Sequence, residues 1–202
     1  MADAEARLDE AALIARCQGG DAAAFDLLVN LHASRVYNLA YRMLGCQQDA
    51  EDAAQEAFLR AFTAMRKFRH GASFSTWIYR ITVNVCLDEI KRRRGRPQPV
   101  ATLYPESADA RSDLAEQLSA GGEDPAEIAE QRARRREAEQ ALAALPAHQR
   151  AVAVMCDVEG LTYEEAAAAL NTGVGTVKSR LHRARQRLRQ LLAPPEEQSA
   201  CK

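Results

Sequence analysis

A run of basic and polar side chains near the C-terminus has the composition of a surface that contacts nucleic acid. Residues 174–190 contain no acidic residue. Arginine and lysine hydrogen-bond to guanine and phosphate, and hydroxyl side chains can contact either bases or phosphates. When the segment is drawn as a helix with about 100° per residue, most of these side chains lie on one polar face or beside it. The candidate DNA contacts are Thr176, Lys178, Ser179, Arg180, His182 and Arg183.

The other face of this segment predicts how the helix is held against the protein. Val174, Val177, Leu181, Ala184 and Leu188 recur there at helical spacing. Upstream, Thr162 and Glu165 have the spacing of a helix-capping box, and Gly173 is expected to supply the backbone freedom of a tight turn. A helix, a turn and a basic second helix favour a DNA-binding helix-turn-helix over a solvated basic helix.

An acidic cluster lies on a helix predicted over residues 49–67. Residues 49–56 hold four acids and no base. No histidine or other partner lies nearby in the sequence, which argues against general acid–base catalysis. Composition leaves two alternatives open, a surface that docks a partner and a solvated helix start that favours acids. Helical spacing places on one side of this helix Asp52, Gln55, Glu56 and Leu59.

A further helix is predicted from about Phe74 to Arg94, and it combines aromatic, hydroxyl and basic side chains. This mixture fits a surface that stacks unpaired bases, although the helical spacing around Trp77 favours the core for that ring. Asn84, with Arg60 from the preceding helix, is the better candidate for polar contact with a base. The end of the helix carries more positive charges than the helix dipole explains. This excess indicates phosphate contacts from Lys91, Arg92 and Arg93, next to Arg94 and Arg96.

Composition predicts an all-α protein, since 47% of the 202 residues are hydrophobic but only 5% are aromatic. The net charge of −1 conceals a strong separation, because residues 106–130 carry eight acids and one arginine. We predict two helical domains, residues 1–96 and 125–193, joined by a flexible acidic linker over 97–124 that contains a short helix near 110–118. Residues 194–202 are expected to be a disordered tail.

Several classes of function are disfavoured by what the sequence lacks. It shows no glycine-rich phosphate loop, no metal-ligand cluster and no nucleophile–base pair, so we expect no enzyme activity, cofactor, metal or small-molecule substrate. Without a membrane-spanning apolar run or a signal peptide, the expected location is the cytoplasm. The dispersed cysteines argue against disulfides and zinc, and the first four are expected to be buried; they are Cys17, Cys46, Cys86, Cys156 and Cys201.

Three motifs in order resemble bacterial RNA polymerase sigma factors of the extracytoplasmic-function (ECF) group, which keep only sigma regions two and four. They are the acidic run of residues 49–60, the sequence Phe74-Ser-Thr-Trp-Ile-Tyr-Arg80, and Gly175-Thr-Val-Lys-Ser-Arg-Leu-His-Arg-Ala-Arg185. The resemblance covers about residues 10–192 and is closest to the envelope-stress branch. It implies an alternative sigma factor that directs promoter-specific initiation in an envelope or extracytoplasmic stress response.

The resemblance also assigns partners to the surfaces. It implies that the acidic helix docks on the β′ clamp helices of core RNA polymerase, with further contacts to the β subunit. It implies that the helix-turn-helix recognises duplex minus-thirty-five DNA. Arg60, Phe68 and Asn84 would line a pocket for a flipped-out, single-stranded non-template base of the minus-ten element. An anti-sigma factor, often membrane-anchored, is the implied regulator.

Some features depart from the family pattern, and two other classes of function compete. The turn has Asn171-Thr-Gly173-Val where the family often has Gly-Val-Pro-Val, and His70 and His182 leave the promoter preference open. A stand-alone helix-turn-helix regulator would be expected to dimerise, but the sequence has no heptad seam. An adaptor that binds polymerase without DNA is disfavoured by the two basic surfaces.

Overall fold

α-Helices make up nearly all of the described chain, and this confirms the predicted fold class. The computed structural model describes residues 2–68, 73–94 and 125–193, and no strand occurs in these ranges. In chain order the helices are α1 (Ala2–Gln18), α2 (Ala22–Leu44), α3 (Gln47–Ala64), a 3₁₀ turn (Met65–Lys67), α4 (Phe74–Arg94), α5 (Pro125–Ala143), α6 (Ala147–Ala153), a π-helical turn (Val154–Val158), α7 (Tyr163–Ala169) and α8 (Val174–Leu192).

Some sequence predictions concern residues outside the described ranges. These are the linker over 97–124 with its short helix near 110–118, the tail over 194–202, and the residues His70, Arg96 and Cys201. Within the described residues, no helix is both long enough and apolar enough to cross a membrane.

The ends of α2 follow from its flanking residues. At the start, the Asp21 side chain accepts a hydrogen bond from the Ala24 N–H at 3.2 Å. At the other end, Gly45 adopts a left-handed conformation with φ of 72°, and its N–H donates to the Tyr41 carbonyl at 2.7 Å. These caps set the limits of α2, because each satisfies a backbone group that the helix itself leaves unpaired.

The first four helices pack around a core in which α3 contributes mainly small side chains. Its buried residues are Ala50, Ala53, Ala57 and Ala61. Opposite them, α2 and α4 bury larger groups such as Leu39, Met43 and Ile78. Alanine has almost no side-chain volume, so the backbone of α3 can lie close to its neighbours.

Leu31 on α2 and Phe62 on α3 are large apolar residues that do not face this core. Leu31 is 61% exposed, because the buried line of α2 runs through His32, about 100° further round the helix. Phe62 is 50% exposed: its ring meets Phe25 edge-on at 5.1 Å, and the rest faces outward.

The predicted burial of the cysteines holds for two of the four described. Cys17 and Cys86 are buried, whereas Cys46 and Cys156 are half-buried, so the prediction is wrong for the latter two. Burial raises the pKa of the Cys86 thiol to about 12, since the thiolate would lose its solvation.

The helix-turn-helix has the predicted cap but a different turn. The Thr162 hydroxyl accepts from the Glu165 N–H, and the Glu165 carboxylate accepts from the Thr162 N–H, which completes the capping box. The expectation that Gly173 supplies a special backbone conformation is wrong, since its φ of −79° is open to any residue. The left-handed residue is Asn171, with φ of 48°, and asparagine tolerates this region better than most side chains.

The two halves of the described chain touch where α2 and α4 meet α5, α6 and α7, and their buried residues form one continuous cluster. Polar links also cross the contact, among them the following. Arg42 pairs with Glu159 at 3.2 Å, the Thr76 hydroxyl donates to Glu165 at 3.1 Å, and Arg150 donates to the Met43 carbonyl at 2.6 Å.

Candidate nucleic-acid interface

The helix α8 presents a polar face because its apolar stripe is fixed in the core. Val177, Leu181 and Ala184 are buried, and this confirms the predicted stripe. The predicted DNA contacts lie on the remaining surface: Thr176, Lys178, Ser179, His182 and Arg183 are exposed, and Arg180 is half-buried. The helix itself carries no acid, so its own side chains offer an approaching phosphate backbone only neutral or positive groups.

Two surface contacts join α8 to the elements that precede it. Arg185 donates from Nε to Asp157 at 3.2 Å and from Nη2 to the other carboxylate oxygen. This hydrogen-bonded carboxylate raises the pKa of the guanidinium. The Lys178 ammonium lies 5.8 Å from the centroid of the Tyr163 ring, within the range of a cation–π contact. Lys178 is therefore placed by α7, at the edge of the exposed face.

The acidic side of α3 carries an exposed apolar residue among its charges. Asp52 and Gln55 are exposed, Glu56 is half-buried, and Leu59 is 63% exposed. Charged residues around a solvent-exposed leucine are a common arrangement for a site that docks another protein.

A second polar strip is formed where α3 meets α4. Arg60 on α3 reaches across so that its Nη1 lies 3.7 Å from the Asp88 carboxylate on α4. Asn84 is exposed one turn before Asp88, and Lys91 and Arg92 continue the exposed strip toward the helix end. The structure thus brings together Arg60 and Asn84, which are 24 positions apart in sequence. We call Arg60, Asn84, Lys91 and Arg92 the α3–α4 strip.

Arg93 differs from the other cations predicted to contact phosphate. It is paired with Asp49 at the start of α3 and with Glu89 at 2.8 Å, and its side chain is only 28% exposed. Partial burial opposes ionisation of Glu89, yet its pKa is lowered because Arg93 and Arg92 both hydrogen-bond to it. The geometry therefore gives Arg93 a role in joining α3 to α4, and it leaves the exposed Lys91 and Arg92 as the better candidates for phosphate contact.

Phe68 is part of an aromatic cluster beneath the junction of α3 and α4. Its side chain is 6% exposed, and its ring lies 5.0 Å from Trp77 and 6.0 Å from Phe74. In this arrangement the ring faces the core, so Phe68 supports the surface from below. Trp77 is half-buried against the core, in line with the predicted core role of its ring.

Sequence reasoning missed the residues that hold these surfaces in place. Gln18, Arg150 and Asp157 each make contacts with residues distant in sequence or on another element. Gln18 and Phe68 are 50 positions apart, and Arg150 and Met43 are 107 apart. Neither helical periodicity nor capping patterns report pairs at such separations.

Comparison with known proteins assigns the two halves to one class. Residues 28–96 match the family model for Sigma-70 region 2, and residues 135–188 match that for Sigma-70, region 4. The chain is 43% identical over 184 residues to ECF RNA polymerase sigma factor SigE of Mycolicibacterium smegmatis, covering 90% of this chain and 67% of that protein. It is 36% identical to ECF RNA polymerase sigma factor SigW of Bacillus subtilis, covering 89% of this chain and 94% of that protein.

A solved structure has the same fold. CnrH, in complex with the cytosolic domain of CnrY, matches with a TM-score of 0.61 and 26% identity over 91% of this chain and 97% of that one. The two family models define a sigma factor, a transcription initiation factor that is not an enzyme. The chain belongs to the ECF group of RNA polymerase sigma factors, and this excludes the stand-alone regulator.

Proposed function

We propose that this sigma factor recognises promoter DNA through two separate surfaces, the exposed face of α8 and the α3–α4 strip. The observation that carries the proposal is the acid-free face of α8, on which the residues proposed to contact bases are exposed. The capped helix α7 precedes α8 in the helix-turn-helix. Residues 125–193 form the domain that binds minus-thirty-five duplex DNA. Residues 1–96 form the domain that captures minus-ten DNA, and the acidic residues 97–124 connect the two.

For duplex DNA, the exposed residues of α8 divide by chemistry. Arg183 and Lys178 can hydrogen-bond to guanine or to phosphate, and Ser179 and Thr176 are short enough to let the helix approach the groove. The Ser179 hydroxyl donates to the Thr176 carbonyl at 3.0 Å, so its oxygen is oriented to accept. A base amino group is the natural donor to it. His182 lies between these residues and Gln186, and Arg180 flanks the face.

For single-stranded DNA, Arg60 and Asn84 form the polar centre of the strip. An amide can form two hydrogen bonds with the edge of an unpaired base, and the guanidinium can stack on a base or hold a phosphate. In the structure Arg60 pairs with Glu56 at 2.7 Å and lies near Asp88. Both pairs are solvent-exposed and therefore weak, so DNA can displace them at little cost.

For protein partners, we assign the acidic face of α3 to core RNA polymerase. Asp52, Gln55, Glu56 and Leu59 would contact the β′ clamp helices, with Leu59 as the apolar centre, and the second domain would contact the β subunit. A cytoplasmic location follows from this partner. An anti-sigma factor, held at the membrane in some family members, is the proposed regulator; the similar CnrH structure contains the cytosolic domain of its partner CnrY. An envelope stress response is the proposed context.

Reconstituted transcription tests this function. Start sites mapped in cells that overproduce the protein would supply a promoter, and purified core polymerase would then be assayed on it with and without the protein. We expect promoter-specific transcripts only when the protein is present. No stimulation of core polymerase on any mapped promoter would contradict the proposal. Stimulation that survives charge reversal at Arg183 would favour an adaptor that acts without that DNA contact.

A further inference from the structure

We propose that Gln18, the last residue of α1, is a positioning residue for the capture of minus-ten DNA. This inference rests on the proposed role of the α3–α4 strip. The Gln18 side-chain amide donates from Nε2 to the Phe68 carbonyl at 2.8 Å, in a partly buried position. Gln18 lies outside the residues matched by the Sigma-70 region 2 model, which begins at residue 28.

The Phe68 carbonyl lies where the chain leaves its helical path. The 3₁₀ turn after α3 ends at Lys67, and the Phe68 N–H still donates to the Met65 carbonyl at 3.1 Å. Phe68 itself is extended, with φ of −63° and ψ of 126°. Its carbonyl accepts the Gln18 hydrogen bond just after that turn, in a partly buried position, where losing a hydrogen bond has a cost.

A displacement of Phe68 would affect both helices that form the strip, α3 and α4. It follows Arg60 by eight residues along α3 and the 3₁₀ turn. Its ring touches Trp77 at 5.0 Å, and Trp77 precedes Asn84 by two helical turns on α4. A shift of the Phe68 backbone would therefore be passed to α3, which carries Arg60, along the chain, and to α4, which carries Asn84, through the Trp77 ring.

The helix α1 is a firm support for this contact. Leu13, Ile14 and Cys17 are buried against the bundle. A second polar link runs from α1 toward the start of α4: Glu10 Oε1 lies 2.9 Å from His32 Nε2, and the His32 ring lies 5.0 Å from the ring of Phe74. The helix α1 thus braces Phe68 directly and Phe74 through His32.

The test separates the donated hydrogen bond from general stability. Gln18→Glu keeps the size and shape of the side chain but places a carboxylate against the carbonyl, and Gln18→Ala removes the group. Gln18→Lys keeps a donor. Matched controls are Gln140→Ala and Gln140→Lys on the exposed side of α5, and the second corrects for the added charge. Each protein is assembled with core polymerase and mixed with a single-stranded minus-ten oligonucleotide that carries a fluorescent base analogue.

We expect Gln18→Glu and Gln18→Ala to weaken binding of the single strand by about two- to tenfold, the scale of one hydrogen bond. Gln18→Lys should match Gln140→Lys within about twofold. Affinity for duplex minus-thirty-five DNA and for core polymerase should not change. Unaltered single-strand binding by Gln18→Glu would overturn the inference, as would an equal loss of duplex and single-strand binding. Failure of the unsubstituted protein to bind the single strand would refute the proposed function of the strip itself.

Discussion

Individual side chains in this sigma factor divide into those held by the protein and those left for a partner. Among the cations expected to contact DNA, Arg93 is held by two carboxylates and Lys178 lies over Tyr163. Arg183 is exposed on the outer side of α8. A cation with carboxylate partners must give them up to bind phosphate, which reduces its net contribution to the free energy of DNA binding. An exposed cation without such partners has no such loss. Arg183 should therefore contribute more to DNA binding than Arg93.

Replacing Arg183 by alanine should weaken binding of the holoenzyme to minus-thirty-five duplex DNA by about 1 to 3 kcal/mol if Arg183 contacts a base. A phosphate contact would instead weaken binding to all sequences and reduce the salt dependence by about one charge. Titrations at several salt concentrations distinguish the two. Arg134→Ala, on an exposed side of α5, is the control, and equal affinities for the two variants would contradict the proposed role.

A second residue-scale prediction concerns Leu59, whose side chain is 63% exposed on the acidic face of α3. Leu59→Ala should weaken binding to core polymerase by roughly 1 to 2 kcal/mol, because the partner would bury less apolar surface. Fluorescence anisotropy of a labelled chain measures this. Leu192→Ala at the end of α8 removes another exposed leucine, 42% exposed, and should have little effect on polymerase affinity. A similar loss for both variants would argue against a specific docking site.

At the scale of elements, local sequence accounts for helix ends better than for helix faces. Asp21, Gly45 and Thr162 mark helix ends because each cap depends on neighbours within a few residues. The turn before α8 was less predictable, since glycine and asparagine can both adopt a left-handed conformation and here it is Asn171 that does so. Pairs such as Arg60 with Asp88 depend on the angle between two helices, which no local pattern contains.

The capping box of α7 should make the helix-turn-helix sensitive to acid. Hydrogen bonds from the Thr162 backbone and side chain, with a further one from Thr76, lower the pKa of Glu165 below its ordinary value of 4.5. A depressed pKa in the folded state gives stability that is present above pH 4.5 and is lost as the pH falls through the folded value. Urea unfolding followed between pH 7 and pH 3 measures this loss.

The matched variants are Glu165→Gln and Glu164→Gln. The first should remove part of the acid-dependent change in unfolding free energy, and the second, at an exposed position of the same turn, should leave it in place. At pH 7, Glu165→Gln should cost about 1 kcal/mol, typical of a weakened cap. If both variants keep the full acid dependence, other carboxylates are responsible for it.

At the scale of the whole molecule, the two halves share one apolar cluster and several polar links. The Arg150 guanidinium donates to the Met43 carbonyl near the end of α2 and to the Ala143 and Leu145 carbonyls at the end of α5. One side chain therefore closes two helix ends that belong to different halves. The sequence predicts two domains, but it does not predict this contact, because the residues involved are over 100 positions apart.

Arg150→Met should lower the free energy of unfolding by about 2 to 3 kcal/mol, since hydrogen bonds from a charged group to three carbonyls are lost. It should also broaden or split the thermal transition measured by calorimetry, because the halves would unfold less cooperatively. Arg134→Met, at a largely exposed position on α5, should leave the transition sharp. A single sharp transition of unchanged midpoint in Arg150→Met would show that the link does not couple the halves.

The four buried alanines of α3 also limit how this protein can vary. They form the surface on which α2 and α4 rest, while the opposite side of the same helix is exposed. Any larger side chain at Ala50, Ala53, Ala57 or Ala61 would push these helices apart and with them the two sides of the strip. The sites that contact partners can thus diversify with each new promoter or regulator, but only while this narrow seam stays the same. Homologues with divergent surfaces should therefore keep small residues at these four positions.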